Sequence, residues 1–382
     1  MTREFQVTYR LPTGRCEREI DRLLAAKGGF AHIGDQSARL KLLAQALVTP
    51  SKTYAQTSDH RNRPSGLRRA IQSGMLDTFF AQQRETYLEP LGLWPADPPA
   101  LVGLPRYSFV LQFTFTLRKP YLSQDDVDWY VIDNPVRKEK VFGLPLVAPT
   151  GWKGALRATM IRQLVAQSGS LSDEQFATQR LALALLFGDE KGEEPGNLKA
   201  LAKYLNDVKP GAASIYRRKL RELFSVEERE PLPHHAGRLY FYPTFFTQIS
   251  LEVINPHDRE TGAGTLPIYF ECVRAGAQGT FTLLYVPFDL VGKPEEEVRP
   301  KVADDLKAVA KAIEAMFTVY GFGAKTSSGF GVVAPMAEHM TLGLNVLVEP
   351  ERRPLTIRQE DFELTRLPDA VQELLMQIGG AL

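Results

Sequence analysis

Residues 107–118, YSFVLQFTFTLR, place an apolar side chain at every second position. This alternation is typical of a β-strand with one face against a core and the other toward solvent. The chain around this strand predicts further elements in the order helix 150–169, β-rich stretch 237–254, strands 268–273 and 279–288, helix 295–321 and a short strand at 332–335. An order of strand, helix, strand, strand, helix, strand predicts an α+β, ferredoxin-like (RNA-recognition-type) βαββαβ core. One face of its sheet would carry the two helices, and the other would be free for a ligand.

The chain outside these elements predicts a division into three parts. Residues 1–104 are polar and read as a partly helical N-terminal extension. The core would occupy residues 105–336, with a charge-rich helical insertion at 170–236 and a turn-rich excursion at 254–268. Residues 337–382 would form a C-terminal tail that ends in a short helix.

Composition excludes several classes of protein. The 382 residues include 46 Lys and Arg against 45 Asp and Glu, which excludes a uniformly basic coat but not a local basic groove. Two cysteines, Cys16 and Cys272, are too few for a disulfide scaffold or a four-cysteine zinc site, and they fit a reducing cytosol. We find no run of 18 apolar residues and no signal peptide, so we expect a cytoplasmic protein with no membrane partner.

Residues 143–157, GLPLVAPTGWKGALR, predict a phosphate clamp. A turn leads Thr150 and Gly151 into a helix start, with Thr150 as the expected N-cap, and free N–H groups at such a start favour anions. Lys153 and Arg157 lie four residues apart, on one face of the same helix. The alternative is an ordinary capped helix with two solvated cations.

Residues 321–333, GFGAKTSSGFGVV, form the second candidate. Glycines permit positive φ and the close approach of another backbone, and the cation and hydroxyls between them suit a sugar-phosphate chain. The residues expected to contact such a ligand are Gly323, Lys325, Thr326, Ser327 and Ser328. The alternative is a tight turn that joins the long helix to the last strand.

Two further loops carry candidate chemistry. Residues 123–140 contain Asp125, Asp126, Asp128 and Asp133, followed by Arg137, Lys138 and Lys140. Loop carboxylates can hold Mg²⁺ and the cations can hold phosphates, a combination that metal-assisted phosphodiester cleavage needs; alternatively, all are simply solvated.

The second loop, residues 255–267, consists of turn-forming residues between strands, so we predict a protruding finger that includes Asn255, His257 and Arg259. His257 could act as an acid or base, or could be an ordinary loop histidine. The adjacent His234 and His235 lack other ligands at metal spacing and are interpreted as ordinary residues.

These stretches, in this order, resemble the RAMP superfamily of CRISPR proteins. More narrowly, they are similar to backbone-type or guide 3′-end capping subunits of type III RNA-guided effector complexes. Residues 143–157 resemble the family's "lPyIPGSSLKGalR" segment, and residues 321–333 resemble its C-terminal glycine-rich loop. VIDNPV at 131–136 resembles the short I-D-[SN]-P-V stretch, and INPHDRE at 254–260 resembles the segment after the second strand.

The resemblance implies a subunit that binds guide RNA and complementary target RNA and assembles with other type III subunits in antiviral defence. It implies that residues 254–268 form a thumb hairpin, which folds over the guide–target duplex. It also implies that Asp133, at the acidic position of the I-D-[SN]-P-V stretch, promotes Mg²⁺-dependent cleavage of target RNA with the RNA 2′-hydroxyl as nucleophile.

The sequence also departs from the family pattern. PTGWKG at 149–154 replaces G-S-S-x-K-G, and the glycine-rich stretch after the first strand is missing. The C-terminal loop and the INPH stretch look closer to the capping subunit, which is generally non-catalytic, so a capping or spacer role is the main alternative. A stand-alone guide-processing endoribonuclease that uses a histidine such as His257 is the other. Residues 1–104 match no part of the family pattern.

Overall fold

The computed structural model describes residues 10–12, 14–48, 50–94, 96–125, 130–190, 200–255, 267–348 and 353–380. It combines helices with antiparallel sheets, which confirms the α+β class. The helices are α1 Glu17–Leu24, α2 Gln36–Leu43, α3 Lys52–Gln56, α4 Gly66–Gln72, α5 Met75–Gln83, α6 Pro149–Ala166, α7 Asp173–Phe187, α8 Ala200–Val208, α9 Pro210–Phe224, α10 Glu295–Ala315 and α11 Leu367–Gly380. The strands are β1 Phe109–Leu117, β2 Tyr121–Leu122, β3 Leu146–Val147, β4 Leu239–Phe241, β5 Thr244–Phe245, β6 Ser250–Ile254, β7 Ile268–Val273, β8 Gln278–Tyr285, β9 Val333–Val348 and β10 Arg353–Glu363.

The main sheet has five strands in the order β10-β9-β1-β8-β4, and every neighbouring pair is antiparallel. The alternating stretch is its central strand, β1, whose Phe113 lies opposite Phe281 of β8. The predicted short strand at 332–335 was wrong, because β9 continues to Val348 and pairs with both β1 and β10. The predicted domain boundary at 336 therefore falls inside a strand.

Helices α6 and α10 pack against one face of this sheet through an aromatic core. The Trp152 ring of α6 lies 5.0 Å from that of Phe281, and Phe317, just after α10, lies 5.2 Å from Phe113. Gly321 ends the second helical stretch at φ +73°, as the sequence predicted. Thr150 was wrong as the N-cap of α6: the helix begins at Pro149 after Ala148, because proline has no N–H group to satisfy and suits the first helical position.

Two smaller sheets flank the main one. The β-rich stretch at 237–254 divides into β4, β5 and β6, which join three different sheets. β7, at the predicted position 268–273, is the middle strand of the sheet β2-β7-β6, and β3 pairs with β5. β7 is therefore supported on both edges.

The predicted insertion and extension are helical and have apolar clusters of their own. α7, α8 and α9 pack around Phe176 and Tyr216 together with the end of α6. Helices α1 to α3 of the extension enclose a cluster that includes Cys16, Ile20 and Leu23. Among the described residues, no helix combines the length and the apolar character needed to cross a membrane.

Candidate nucleic-acid interface

The glycine loop, residues 321–331, needs glycine at positions where its backbone touches itself or a neighbour. A Cβ on Gly331 would lie 1.9 Å from the carbonyl oxygen of Phe322, and one on Gly323 would lie 2.4 Å from that of Leu122. Both residues also have positive φ, +70° and +88°. Since these contacts leave no room for a side chain, the loop has one tightly specified path.

Hydrogen bonds and a buried ring hold that path in place. The Ala324 amide donates to the Leu122 carbonyl at 2.7 Å, and the Gly331 amide donates to that of Pro120 at 2.9 Å. The buried ring of Phe322 lies 4.5 Å from the ring of Trp152 in α6. The loop is thereby fixed to β2 and to the aromatic core.

At the tip of the loop, Lys325 is left-handed (φ +55°, ψ +32°) and leads into a 3₁₀ turn, Thr326–Ser328. Successive N–H groups converge into an anion-binding concavity when a left-handed residue and a right-handed turn adjoin. The amides of Lys325, Thr326 and Ser327 find no acceptor within the described part of the chain. The side chains of Lys325, Ser327 and Ser328 are exposed, so the tip presents amides, hydroxyls and one cation to solvent.

The glycine loop contacts β7 through a side chain that sequence reasoning missed. The Lys325 ammonium lies over the ring of Phe270, 5.0 Å from its centre, which is cation–π geometry. In the sequence, Phe270 is an ordinary aromatic residue of a predicted strand, and no neighbouring residue indicates that it contacts Lys325. Lys325 therefore sits above the middle of β7.

The segment that carries Asp133 runs along an edge of the same strand. The Glu271 amide donates to the Asn134 carbonyl at 2.9 Å, and the Asn134 side-chain amide donates to the Tyr269 carbonyl at 3.3 Å. Ile132 is buried, whereas Asp133 is exposed. Asp133 and Lys325 thus flank the same three residues of β7, although they are almost 200 positions apart in the chain.

Neighbouring acids are occupied by structural contacts. Asp125 accepts a hydrogen bond from the Lys138 amide at 3.2 Å. The buried Glu271 accepts one from the Val136 amide at 3.1 Å and also pairs with the Lys138 ammonium. Lys138, a predicted phosphate contact, is therefore engaged within the protein.

The donor set near Asp133 can be tested against Mg²⁺. Among the described residues, no group of three or more His, Cys, Asp or Glu could enclose a metal ion, and Asp126 and Asp128 lie outside those residues. No hydrogen bond or ion pair to the Asp133 carboxylate is present in the described part of the chain. Mg²⁺ commonly binds one or two carboxylates and completes its shell with phosphates and water. Asp133 fits a site of that kind and not one enclosed by protein alone.

The start of α6 is less open than the sequence suggests. Thr150 is exposed, but the Gly151 amide already donates to the Ala148 carbonyl at 2.8 Å. The Arg157 guanidinium donates to the Phe187 carbonyl at 2.7 Å and lies over the Phe187 ring. Arg157 therefore supports the end of α7.

Both cations on this helix face are partly buried. Burial and then the charge of Arg157 lower the pKa of Lys153, against the opposing effect of Asp189. Burial likewise lowers the pKa of Arg157, against Glu190 and Asp189. Asp189 also lies within hydrogen-bond distance of His234, with 2.7 Å between Oδ2 and Nδ1, so the carboxylate near the α6 cations has a second neighbour.

The predicted thumb falls mostly outside the described residues. Asn255 is exposed directly after β6, and His257 and Arg259 belong to the undescribed segment 256–266. β6 and β7 pair in register as far as Ile254 and Ile268, which face each other at the two ends of that segment.

Several solved structures resemble the chain distantly. A type III-B Cmr-beta complex bound to cognate target RNA contains a chain with 12% identity and a TM-score of 0.36, matched over 89% of this chain and 99% of that one. A Csm3–Csm4 subcomplex of the type III-A CRISPR-Cas interference complex gives 13% identity and a TM-score of 0.33, over 71% and 98%. Cmr6 from Pyrococcus furiosus gives 15% identity and a TM-score of 0.28, over 59% and 98%. No curated protein sequence matches the chain significantly.

A family model gives a more direct assignment. The model of the RAMP superfamily matches residues 130–334, which is more than half of the chain. The matched region begins just before Asp133, includes α6 and β7, and ends just after the glycine loop. Because the family model matches more than half of the chain, the chain belongs to the RAMP superfamily.

Proposed function

We propose that this chain is a guide-RNA-binding subunit of a type III CRISPR effector complex that acts in antiviral defence in the cytoplasm. Its partners would be the guide RNA, a complementary target RNA and other subunits of the complex. Membership of the RAMP superfamily supports the class of protein. The proposal about RNA depends on the surface around β7.

The observation that carries the proposal is the tip of the glycine loop. Three consecutive amides without acceptors in the described part of the chain, the exposed Lys325 and the hydroxyls of Ser327 and Ser328 form one concave donor group. Donors of this kind position a nucleic-acid backbone without reading its sequence. The backbone of Gly323 packs against the Leu122 carbonyl, which fixes the path of the chain that leads into Lys325.

The start of α6 would provide a second, weaker contact. Thr150, Gly151 and Lys153 lie near the glycine loop, because Trp152 between them packs on Phe322. Lys153 and Arg157 add positive charge there, although the Arg157 guanidinium is shared with the Phe187 carbonyl. A phosphate bound at the glycine loop could therefore be followed by another near α6.

We also propose the finer fold that the family implies, a ferredoxin-like core with a thumb hairpin. Its support is the order of strands in the main sheet, where β9, β1, β8 and β4 lie side by side in that order. Along the chain, α6 lies between β1 and β4, and α10 lies between β8 and β9. This is the order of a split βαβ arrangement, with β10 added at one edge. The thumb would be the excursion between β6 and β7, with Asn255, His257 and Arg259 toward the RNA.

For catalysis we propose that Asp133 promotes cleavage of bound target RNA. The exposed Asp133 carboxylate would hold Mg²⁺ together with RNA phosphates and water. When bound, the ion would stabilise negative charge that develops on the scissile phosphate. The contacts of Asn134 with β7 would hold the Asp133 backbone in place while the RNA 2′-hydroxyl loses its proton to water and its oxygen bonds to the phosphorus. The bond from phosphorus to the 5′-oxygen of the next nucleotide would break, and that oxygen would leave with a proton from water.

A capping or spacer subunit without chemistry is the second candidate. The observation that favours it is the donor set: within the described residues, no cluster of three metal-ligating side chains surrounds Asp133. The two candidates share the RNA-binding surface and differ only in whether the assembled complex loses cleavage when Asp133 is changed.

The experiment that tests the class is purification of the chain with its genomic neighbours, followed by sequencing of the RNA that co-purifies. Repeat-derived guides of uniform length are the expected result, and their absence would contradict the proposal. Lys325→Ala should lower the guide occupancy of the complex. Lys301→Ala, which removes the same charge from an exposed position on α10, is the matched control and should not.

A further inference from the structure

The N-terminal extension carries a strong local excess of positive charge. Residues 1–104 include 14 Lys and Arg against 10 Asp and Glu, whereas the remainder of the chain includes 32 against 35. Between residues 36 and 76 there are seven Lys and Arg and one acid, Asp59. This region lies outside the matched residues 130–334, so nothing in the family assignment accounts for it.

Part of this charge is displayed on a loop with a defined shape, residues 58–64 (SDHRNRP). Ser58 and Pro64 form an isolated β-bridge at its base. The Asp59 carboxylate accepts hydrogen bonds from the amides of Arg61 at 2.8 Å and Arg63 at 2.9 Å, and from the Arg63 guanidinium at 2.7 Å. The loop is thus held by the acid near its start, Asp59.

This arrangement leaves one arginine available. Desolvation raises the pKa of Asp59, but hydrogen bonds from Arg63 and Arg61 outweigh it and lower that pKa to about 2. The Asp59 carboxylate therefore stays charged at neutral pH. Arg63 is neutralised by that carboxylate. The side chain of Arg61 is exposed and, within the described part of the chain, has no ion-pair partner, and the exposed His60 lies beside it.

The base of the loop lies next to the segment that carries Asp133. The Gln56 side-chain amide donates to the Val131 carbonyl at 2.7 Å, two residues before Asp133. Val131 also packs against the apolar cluster of the extension and against the main core. The Ser65 amide donates to the Thr57 carbonyl at 3.1 Å, which closes the loop base directly beside Gln56.

A second contact fixes the extension on the same side of the molecule. Asp77 of α5 pairs with Arg274, the residue after β7, at 3.2 Å. The extension therefore contacts both the Asp133 segment and the end of the strand that this segment borders. The basic loop thus belongs to a part of the chain that contacts the candidate site at two points.

We infer that the loop 58–64 binds the phosphate backbone of the RNA strand held at Asp133, with Arg61 as its main contact. This inference rests on the proposed function, because it takes RNA as the ligand near Asp133. It assigns the extension a role in holding the strand to be cleaved, in addition to the guide contacts of the glycine loop. Phosphate is the favoured partner because exposed arginine on a rigid loop pairs with it through charge-assisted hydrogen bonds.

The test uses the assembled complex loaded with guide, and measures the affinity for complementary RNA across a series of salt concentrations. Arg61→Ala should weaken target binding by between about twofold and tenfold, the range for one exposed charged contact. It should reduce the slope of log affinity against log salt by about 0.7, the value for one phosphate of a single strand. Guide occupancy should stay at the wild-type level.

Lys301→Ala removes the same charge from an exposed site on α10 and is the matched control. An unchanged salt slope in Arg61→Ala, or an equal change in Lys301→Ala, would overturn the inference and leave the proposed function standing. The proposed function fails separately, when no repeat-derived guide RNA of uniform length co-purifies with the complex. Equal thermal stability of wild type and Arg61→Ala verifies that a loss of binding is not a loss of fold.

Discussion

The glycine loop and the start of α6 are the two stretches that the sequence predicts as phosphate sites, and they share one aromatic core. Phe322 of the loop and Trp152 of the helix are 4.5 Å apart between ring centres. They differ in the donors that remain. The loop offers three consecutive amides that lack acceptors among the described residues, whereas in α6 Pro149 has no amide and that of Gly151 donates to Ala148.

The difference teaches that residue types alone do not define an anion site. Every backbone donor needs an acceptor, and a site exists only where the fold leaves donors without one. The same holds for the cations: Lys325 is exposed above Phe270, whereas Arg157 donates to the carbonyl of Phe187 and is half-buried. Glycine, lysine and hydroxyl residues in both stretches look alike until these contacts are known.

The largest expected effect concerns Asp133, which borders β7 on the side of the glycine loop. Asp133→Asn keeps the size of the side chain and removes its charge, so it should slow cleavage of complementary RNA by at least about 100-fold. Guide binding should stay near the wild-type level, because the phosphate donors are elsewhere. Single-turnover cleavage assays of the assembled complex measure the first quantity, and co-purified guide measures the second.

Asp125→Asn is the control for this variant, because Asp125 accepts a hydrogen bond from the Lys138 amide and so has a structural contact. Cleavage by Asp133→Asn at the wild-type rate would assign the chain to the capping candidate, or would show that another acid promotes cleavage.

The second effect concerns the free energy of unfolding and compares a glycine of the glycine loop with a glycine of α6. Gly331→Ala would place a Cβ 1.9 Å from the Phe322 carbonyl oxygen at φ +70°, and should lower the free energy of unfolding by about 2–4 kcal/mol. Gly154→Ala lies inside α6 with nothing within 4 Å, and should raise that free energy by about 0.5–1 kcal/mol. Urea unfolding of both variants gives the comparison, and effects of the same sign would contradict it.

A smaller effect is expected from Arg157, whose hydrogen bond and ring contact join α6 to the end of α7. Arg157→Ala removes the donor to the Phe187 carbonyl and should lower the free energy of unfolding by about 1 kcal/mol. Lys153→Ala has no such contact among the described residues and serves as the control. Equal melting temperatures for Arg157→Ala and the wild type would show that Arg157 is free to bind a ligand, which would reduce the contrast between the two regions.

The smallest effect tests whether β7, the strand beneath Lys325 of the glycine loop, is packed before RNA binds. Burial, with the nearby charges of Glu252 and Glu271, raises the pKa of the Cys272 thiol to about 12. At pH 8 the buried thiol should therefore react with iodoacetamide much more slowly in the native protein than in urea. Fast native alkylation would show that β7 opens readily and that the loop site is not preformed.

Much of the fold could be predicted because its signals are local. β1 shows a period of two, and the stretch ended by Gly321 shows helical periodicity, so both were found in the sequence. β9 was predicted too short because its alternation is interrupted: His339 has φ +53°, and the pairing with β1 shifts there. A bulge moves the following side chains to the other face, which hides a long strand from a search for simple alternation.

The residues of the candidate site could be predicted from the sequence, but the contacts that bring them together at β7 could not. The glycine loop and Asp133 were found from residue types and family resemblance, whereas their meeting at β7 depends on the contacts of Asn134 and Lys325 with distant residues. The engaged state of Lys138 was equally hidden, because Glu271 is more than 130 positions away. Spacing in a sequence predicts neighbours within an element, and long-range pairing decides which charges stay available.

The salt dependence of guide-RNA binding tests the central claim, that the glycine loop is the primary phosphate site, most directly. Affinities of the assembled complex are measured from low to high salt for the wild type, for Lys325→Ala and for the double variant Lys153→Ala with Arg157→Ala. The account predicts that Lys325→Ala lowers the slope by about 0.7 and costs more affinity than the double variant does. A slope unchanged by Lys325→Ala, together with a large loss in the double variant, would contradict it and move the primary site to α6.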